Sequence, residues 1–259
     1  MANQSHTRLA VLIDADNAQS SVVRQLLVEI SKYGVATVKR VYGDWTTPNL
    51  KGWKESLNAN ALQPIQQFSY TSGKNATDSS LIIDAMDLLH SGRVDGFCLV
   101  SSDSDFTRLA TRIRESGLVV YGFGEQKTPP AFVAACDKFI YTEILRVEKS
   151  PTPVPAVETV EGKTLENILR NAVTAATQED GWALLSTVGS LITKTNPAFD
   201  SRNYGFGKLG ELVRAQTYLE LKTTGVAEVS GTTLHVRFRN KGKGRQEQAS
   251  PARPTQAAA

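Results

Sequence analysis

"GFCLVSSDSDF", residues 96–106, begins as an apolar run and then sets two carboxylates, Asp103 and Asp105, one residue apart. A short run with no charged member suits a strand covered on both faces, the condition of a central strand in a parallel sheet. Its polar end is where such a strand would meet solvent. Two ionised carboxylates at that spacing repel, and each raises the other's pKa unless something positive stands between them. A divalent cation is one such group. Helix capping is the competing reading, since Ser104 or Asp105 can cap a helix through "FTRLATRIRES", residues 106–116.

Outward from this stretch the same grammar repeats. Strand-like "RLAVLI" (8–13) precedes helical "AQSSVVRQLLVEISKY" (18–33), and "VATVKRVY" (35–42) precedes "LKGWKESLNA" (50–59). "LQPIQQF" (62–68) precedes "DSSLIIDAMDLLHSG" (78–92), and "LVVYGF" (118–123) precedes "PAFVAACD" (130–137), with "KFIYT" (138–142) last. Alternation of this kind predicts an α/β fold, a parallel sheet sandwiched by helices. In open sheets of that class, ligands lie outside the carboxyl ends of the strands, where the strand order reverses.

The acidic residues fall there. The first strand runs into Asp14, Asp16 and Asn17, and the fourth into Ser102, Asp103 and Asp105. Asp78 falls in the first turn of the helix before the fourth strand. Asp84 lies six residues on, about 600° of helical rotation, so it points elsewhere and is expected to be a buried support; Asp87 is expected on a solvated face. Carboxylates without His or Cys nearby select hard cations, so Mg²⁺ or Mn²⁺ is the expected cofactor. Such an ion can polarise a phosphoryl oxygen and activate water, which is phosphodiester hydrolysis. Lys74, beside the helix N-terminus, is a candidate phosphate holder, with loop solvation as the alternative. Trp45, after the second strand, is a candidate for base stacking or for packing.

Composition bounds the rest. The 259 residues are 41% hydrophobic and 21% charged, with net charge +3. No apolar run approaches the roughly 18 residues of a membrane span, and the expected location is cytoplasmic. Two unpaired-looking cysteines and three histidines argue against zinc and disulfide frameworks. Residues 1–149 carry 16 basic and 16 acidic side chains, whereas residues 150–259 carry 13 and 10. The excess gathers at the end, in Arg237, Arg239, Lys241, Lys243, Arg245 and Arg253 against Glu247. Such a tail suits a phosphate backbone, or is simply solubilising. Three prolines within residues 151–155 mark a linker.

"LAVLIDADN", "RVYGDW", "GKNATDSSLIIDAMDLL", "GFCLVSSDSDF" and "VVYGFGE" together resemble the NYN family of PIN-like nuclease-type domains, over residues 7–147. The resemblance implies a metal-dependent ribonuclease, with Asp14, Asp78, Asp103 and Asp105 at the catalytic and metal-holding positions and Asp16, Asn17 and Ser102 supporting them. After the linker, 148–161, the segment "GWALLSTVGSLITKTNPAFDSRNYGFGKLGELV" resembles the LOTUS, or OST-HTH, domain. That domain is assigned to 162–240, followed by a basic disordered tail, 241–259.

Helical patterns at 161–178, 182–195 and 201–215, with a hairpin from "YLELKTT" and "TTLHVRFRN", suit a winged helix. The second resemblance implies RNA as partner, or in some relatives a protein bound through the C-terminal domain; no membrane is expected, and homo-oligomers are open. Arg202, Tyr204 and Lys208 are the expected RNA contacts, with core packing as the alternative for Tyr204. Two other functions remain open. "LIDADN" also suits a haloacid-dehalogenase-like phosphatase with Asp14 as nucleophile, and a non-catalytic RNA-binding adaptor needs no working site.

Overall fold

The structure, a computed structural model, describes residues 7–68, 76–146, 165–224 and 233–239. Lys74, the linker expected at 148–161 and the tail expected at 241–259 lie outside the described residues.

Six strands form one parallel sheet: β1 (Arg8–Asp14), β2 (Val35–Gly43), β3 (Gln63–Gln66), β4 (Gly96–Val100), β5 (Val119–Gly124) and β6 (Lys138–Tyr141), in the order β3-β2-β1-β4-β5-β6. The order reverses between β1 and β4. Those are the two most continuously apolar strands, and they are central because only there do both faces of a strand escape water. All of β4 is buried, as is all of β1 after Arg8.

Period-two alternation sorts their side chains onto two cores. Ala10, Leu12, Phe97 and Leu99 face α3 (Ala76–Ser91), α4 (Thr107–Glu115) and α5 (Pro130–Ala135). Leu9, Val11, Ile13, Cys98 and Val100 face α1 (Val23–Ile30) and α2 (Trp53–Ala59). Right-handed crossovers account for this split: connections walking from β1 toward β3 place helices on one face, and those walking from β4 toward β6 place them on the other. Cys98 and Cys136 are buried packing thiols, and burial raises the pKa of both.

A small second domain follows. Helices α6 (Leu165–Ala176), α7 (Leu185–Thr195) and α8 (Leu209–Arg214) pack on an antiparallel sheet of β7 (Ala183–Leu184), β9 (Thr233–Phe238) and β8 (Leu219–Thr224), in the order β7-β9-β8. Val173, Val188, Val213 and Val236 are fully buried between them. Two differences from the sequence reading stand out. The hairpin is joined by a third strand, β7, too short to show periodicity. The helix expected at 201–215 is two pieces, a 3-10 turn at Ser201–Tyr204 and then α8, because Gly205 adopts φ +81° and ends the turn.

The domains meet at the β6 edge of the large sheet. The Phe139 amide donates to the Pro197 carbonyl at 2.9 Å, and Ala198 packs on the core around β1 and β4. Sheet edges expose unpaired backbone groups, and this one is partly covered by the second domain.

Candidate functional site

Asp14 ends β1 with no exposed surface, on the face where Leu12 precedes it. A buried carboxylate must be satisfied, and four donors serve this one. Oδ1 accepts from the backbone amides of Asp16 (3.0 Å) and Asn17 (3.3 Å), and Oδ2 from Asn17 Nδ2 (2.9 Å) and Ser101 Oγ (2.8 Å). Burial still pushes its pKa up, against the pull of these bonds. Asp14 therefore fixes the turn after β1 and the end of β4 together.

Ser101 is the residue that sequence reading missed. It is buried, its hydroxyl donates to Asp14, and it accepts from the Asp103 amide at 3.1 Å. Ser102, named instead, accepts from the Glu125 amide at 2.9 Å and so links the ends of β4 and β5. Strand parity held the clue. Phe97, Leu99 and Ser101 share a face, as do Leu12 and Asp14 on the neighbouring strand, so the hydroxyl that meets Asp14 has to be at 101. Gly124 is required beside it: a Cβ there would lie 2.6 Å from the Ser101 carbonyl oxygen.

Asp103 and Asp105 follow, and the cap here is neither Ser104 nor Asp105, the two residues expected to cap, but Asp103, while α4 itself, with Phe106 at its N-cap, has no side-chain cap. Asp103 Oδ1 accepts from the Asp105 amide at 2.9 Å as the N-cap of a 3-10 turn leading into α4. On the same face of the sheet, α3 brings Asp78 in its first turn. Asp78, Asp103 and Asp105 each place a carboxylate oxygen so that the three lie within 4.8 Å of one another. The electrostatic consequence falls on Asp78. Burial first, and then the charges of Asp14, Asp103, Asp105 and Asp16, raise its pKa to about 6. Three crowded hard oxygen donors match what Mg²⁺ or Mn²⁺ takes.

The remaining acids separate as their spacing requires. Asp84 accepts from Arg40 Nη1 and from the Tyr42 hydroxyl, both at 2.9 Å, and supports the helix-sheet interface. Asp87 is exposed, as are Asp16 and Asn17. Trp45 is fixed at the β2 and β3 ends, its Nε1 donating to the Ile65 carbonyl at 3.0 Å, and it packs on the core beneath α1 and α2. The geometry favours its packing role.

Of the expected RNA contacts, Lys208 is exposed, but Arg202 is engaged elsewhere. Its guanidinium donates to both oxygens of Glu29 in α1, each at 2.9 Å, and to Asp200 at 2.7 Å. Glu29 is 4% exposed and is also bonded by Lys32 and Tyr33. Burial works against its ionisation, yet the bonds from Arg202 and Lys32 win and hold its pKa near 2. Tyr204 is partly buried against Phe199, ring centroids 5.8 Å apart. Arg202 is thus an inter-domain rivet rather than a free phosphate contact, a distant pairing that no local pattern encodes.

Asp14 as a covalent nucleophile loses its basis, because a carboxylate without exposed surface and with both oxygens engaged has no free face for attack. No helix among the described residues is long and apolar enough to cross a membrane.

Comparison with known proteins matches this architecture piece by piece. A family model described as the NYN domain matches residues 8–145, and one described as the OST-HTH/LOTUS domain matches residues 161–230. No curated protein matches the chain. Among solved structures, the chain is similar to a protein of unknown function from Vibrio parahaemolyticus RIMD 2210633, at 18% identity and TM-score 0.47, covering 57% of this chain and 98% of that one. It is similar also to an uncharacterized protein of Nitrosomonas europaea, at 28% identity and TM-score 0.27, covering 39% of this chain and 100% of that one. A Chromobacterium violaceum protein shows 29% identity and TM-score 0.26, covering 36% of this chain and 95% of that one.

Proposed function

The chain belongs to the NYN domain family, and on that premise we propose that it is a metal-dependent ribonuclease whose C-terminal OST-HTH/LOTUS domain, in a winged-helix arrangement, holds the RNA. The observation that carries this reading is the convergence of Asp78, Asp103 and Asp105 within 4.8 Å. Like charges this close cost stability, and a fold retains such a cost when the groups serve a ligand. Asp78, Asp103 and Asp105 would hold Mg²⁺ or Mn²⁺. Bound there, the ion would supply polarisation of a phosphoryl oxygen and a lowered pKa for water.

The chain's own residues do the rest. Asp14, held by Asn17 and Ser101, exerts the largest single charge effect on Asp78 and keeps the ends of β1 and β4 in register. Ser101 orients Asp103 through its amide, and Asp103 in turn fixes the Asp105 amide. Such outer supports keep ligand carboxylates pointed at one place. Lys74 is proposed to meet the substrate phosphate.

The test is direct. Purified protein is incubated with labelled single-stranded and structured RNA in Mn²⁺, Mg²⁺ or EDTA. Cleavage in Mn²⁺ or Mg²⁺ that stops in EDTA is the expected result; cleavage that persists in EDTA overturns the assignment, as does no cleavage under any condition.

A further inference from the structure

The second domain is left without its expected RNA contact at Arg202, and a different surface offers what that residue does not. Antiparallel pairing aligns Ala183 with Val236 and Leu221 with Val236, which turns these three inward. Their neighbours turn outward. Trp182 therefore stands beside Arg237, with Glu220 on the other side of Arg237 and Lys222 next to His235.

The side chains bear out this alternation. The Arg237 guanidinium lies 4.3 Å from the Trp182 ring centroid and the Lys222 ammonium 5.6 Å from it. Glu220 grips the guanidinium at 3.1 Å and so fixes its plane while leaving it 39% exposed. Trp182 is only partly buried, Lys222 is exposed, and Arg239 is exposed just past β9. One acid among these cations leaves the face positive.

An indole with a guanidinium over it is a structural stack worth a modest stabilisation at a surface. Two further facts favour a ligand. Bases of single-stranded RNA stack on aromatic rings and on guanidinium planes alike, and here a partly exposed indole and guanidinium lie together on one sheet face. Beyond β9 the sequence itself is basic, with Lys241, Lys243 and Arg245. A duplex hides its bases inside its grooves and cannot use such a platform; a single strand can.

We propose that the outer face of the β7-β9-β8 sheet, with Trp182 stacked under Arg237 and flanked by Lys222, is a single-stranded RNA platform. This rests on the reading of the chain as an RNA-directed enzyme. Bases stack at Trp182 and Arg237, and Lys222 and Arg239 meet the backbone.

The test uses the full-length chain in EDTA, with fluorescence anisotropy of a short labelled single-stranded RNA and of its duplex. Trp182→Ala is expected to weaken single-strand binding roughly 5- to 150-fold, as the loss of one stacked base predicts, and Trp182→Phe to restore most of it. Lys222→Gln should lower the log–log salt slope by about 0.7, one phosphate contact. Thermal melting of each variant separates folding loss from binding loss, and Trp182→Phe keeps the question open to refutation if the alanine variant unfolds. Unchanged single-strand affinity in Trp182→Ala overturns the platform while leaving the RNA reading intact. Absence of any RNA binding by the wild-type chain overturns both, and tighter binding of the duplex overturns the platform alone.

Discussion

Two acidic clusters in this molecule have opposite fates. Around Asp78 three carboxylates converge within 4.8 Å, and the pKa of Asp78 rises to about 6. Around Glu29 and Asp200 one guanidinium bridges the charges, and the pKa of Glu29 falls to about 2. The second cluster is closed by Arg202 within the chain; for the first we propose a bound cation. The contrast separates a site from a joint more cleanly than acidic residue counts can.

The largest expected effect breaks the first cluster. Asp103→Asn removes one candidate ligand and should lower Mn²⁺-dependent RNA cleavage by about 100-fold or more, while the metal-free melting temperature holds or rises because repulsion is relieved. Full activity in that variant would count against the metal assignment.

The joint is broken by Arg202→Ala. It leaves buried Glu29 with only Lys32 and Tyr33 as partners among the described residues, which should cost about 2–3 kcal/mol, below the 3–5 typical of a fully buried pair because Lys32 still neutralises the charge and Arg202 is 28% exposed. Chemical denaturation measures this. Glu29→Gln in the same background should recover part of the loss; if it recovers none, the charge pair is not what joins the domains.

A smaller effect separates supports from ligands. Ser101→Ala removes a donor to Asp14 and the acceptor for the Asp103 amide, so cleavage should fall roughly 10-fold or somewhat more without loss of fold. Ser102→Ala touches only the Glu125 amide and should do less. Equal losses from the two would mean that strand parity does not decide the support.

Acidity sharpens the comparison most gently. Asp78 has a folded pKa above its unfolded value near 3.8, so its contribution favours the metal-free fold at low pH and is lost as pH rises through about 6. Glu29 has a folded pKa below its unfolded 4.5, so its contribution is present above that value and is lost as pH falls toward about 2. Metal-free protein should therefore be most stable near pH 4, between the unfolded values of about 3.8 and 4.5, on these two groups. Mn²⁺ should lift the high-pH side alone, and Asp78→Asn should flatten it; a melting series against pH reads both.

Much of this was legible in order along the chain. The apolar run of "GFCLV" read as a buried strand and "RLAVLI", apolar after Arg8, as a strand, and the acids after them marked strand ends because polar groups must emerge where the sheet stops. Asp78 in a first helical turn and Asp87 on a wet face followed from helical periodicity. Those are local facts, written at spacings of two and 3.6 residues.

What periodicity states is the face a residue occupies, and what it omits is the element that will cover that face. Ser101 rather than Ser102 reaches Asp14 because β4 lies beside β1 in a fixed register. Trp182 meets Arg237 because a two-residue strand pairs with one far along the chain. Arg202 reads as a surface cation until the second domain docks on α1 and supplies Glu29 as its partner. In each case the deciding contact joins segments distant in sequence, and its free energy exists only once burial has removed the water that would otherwise serve both groups.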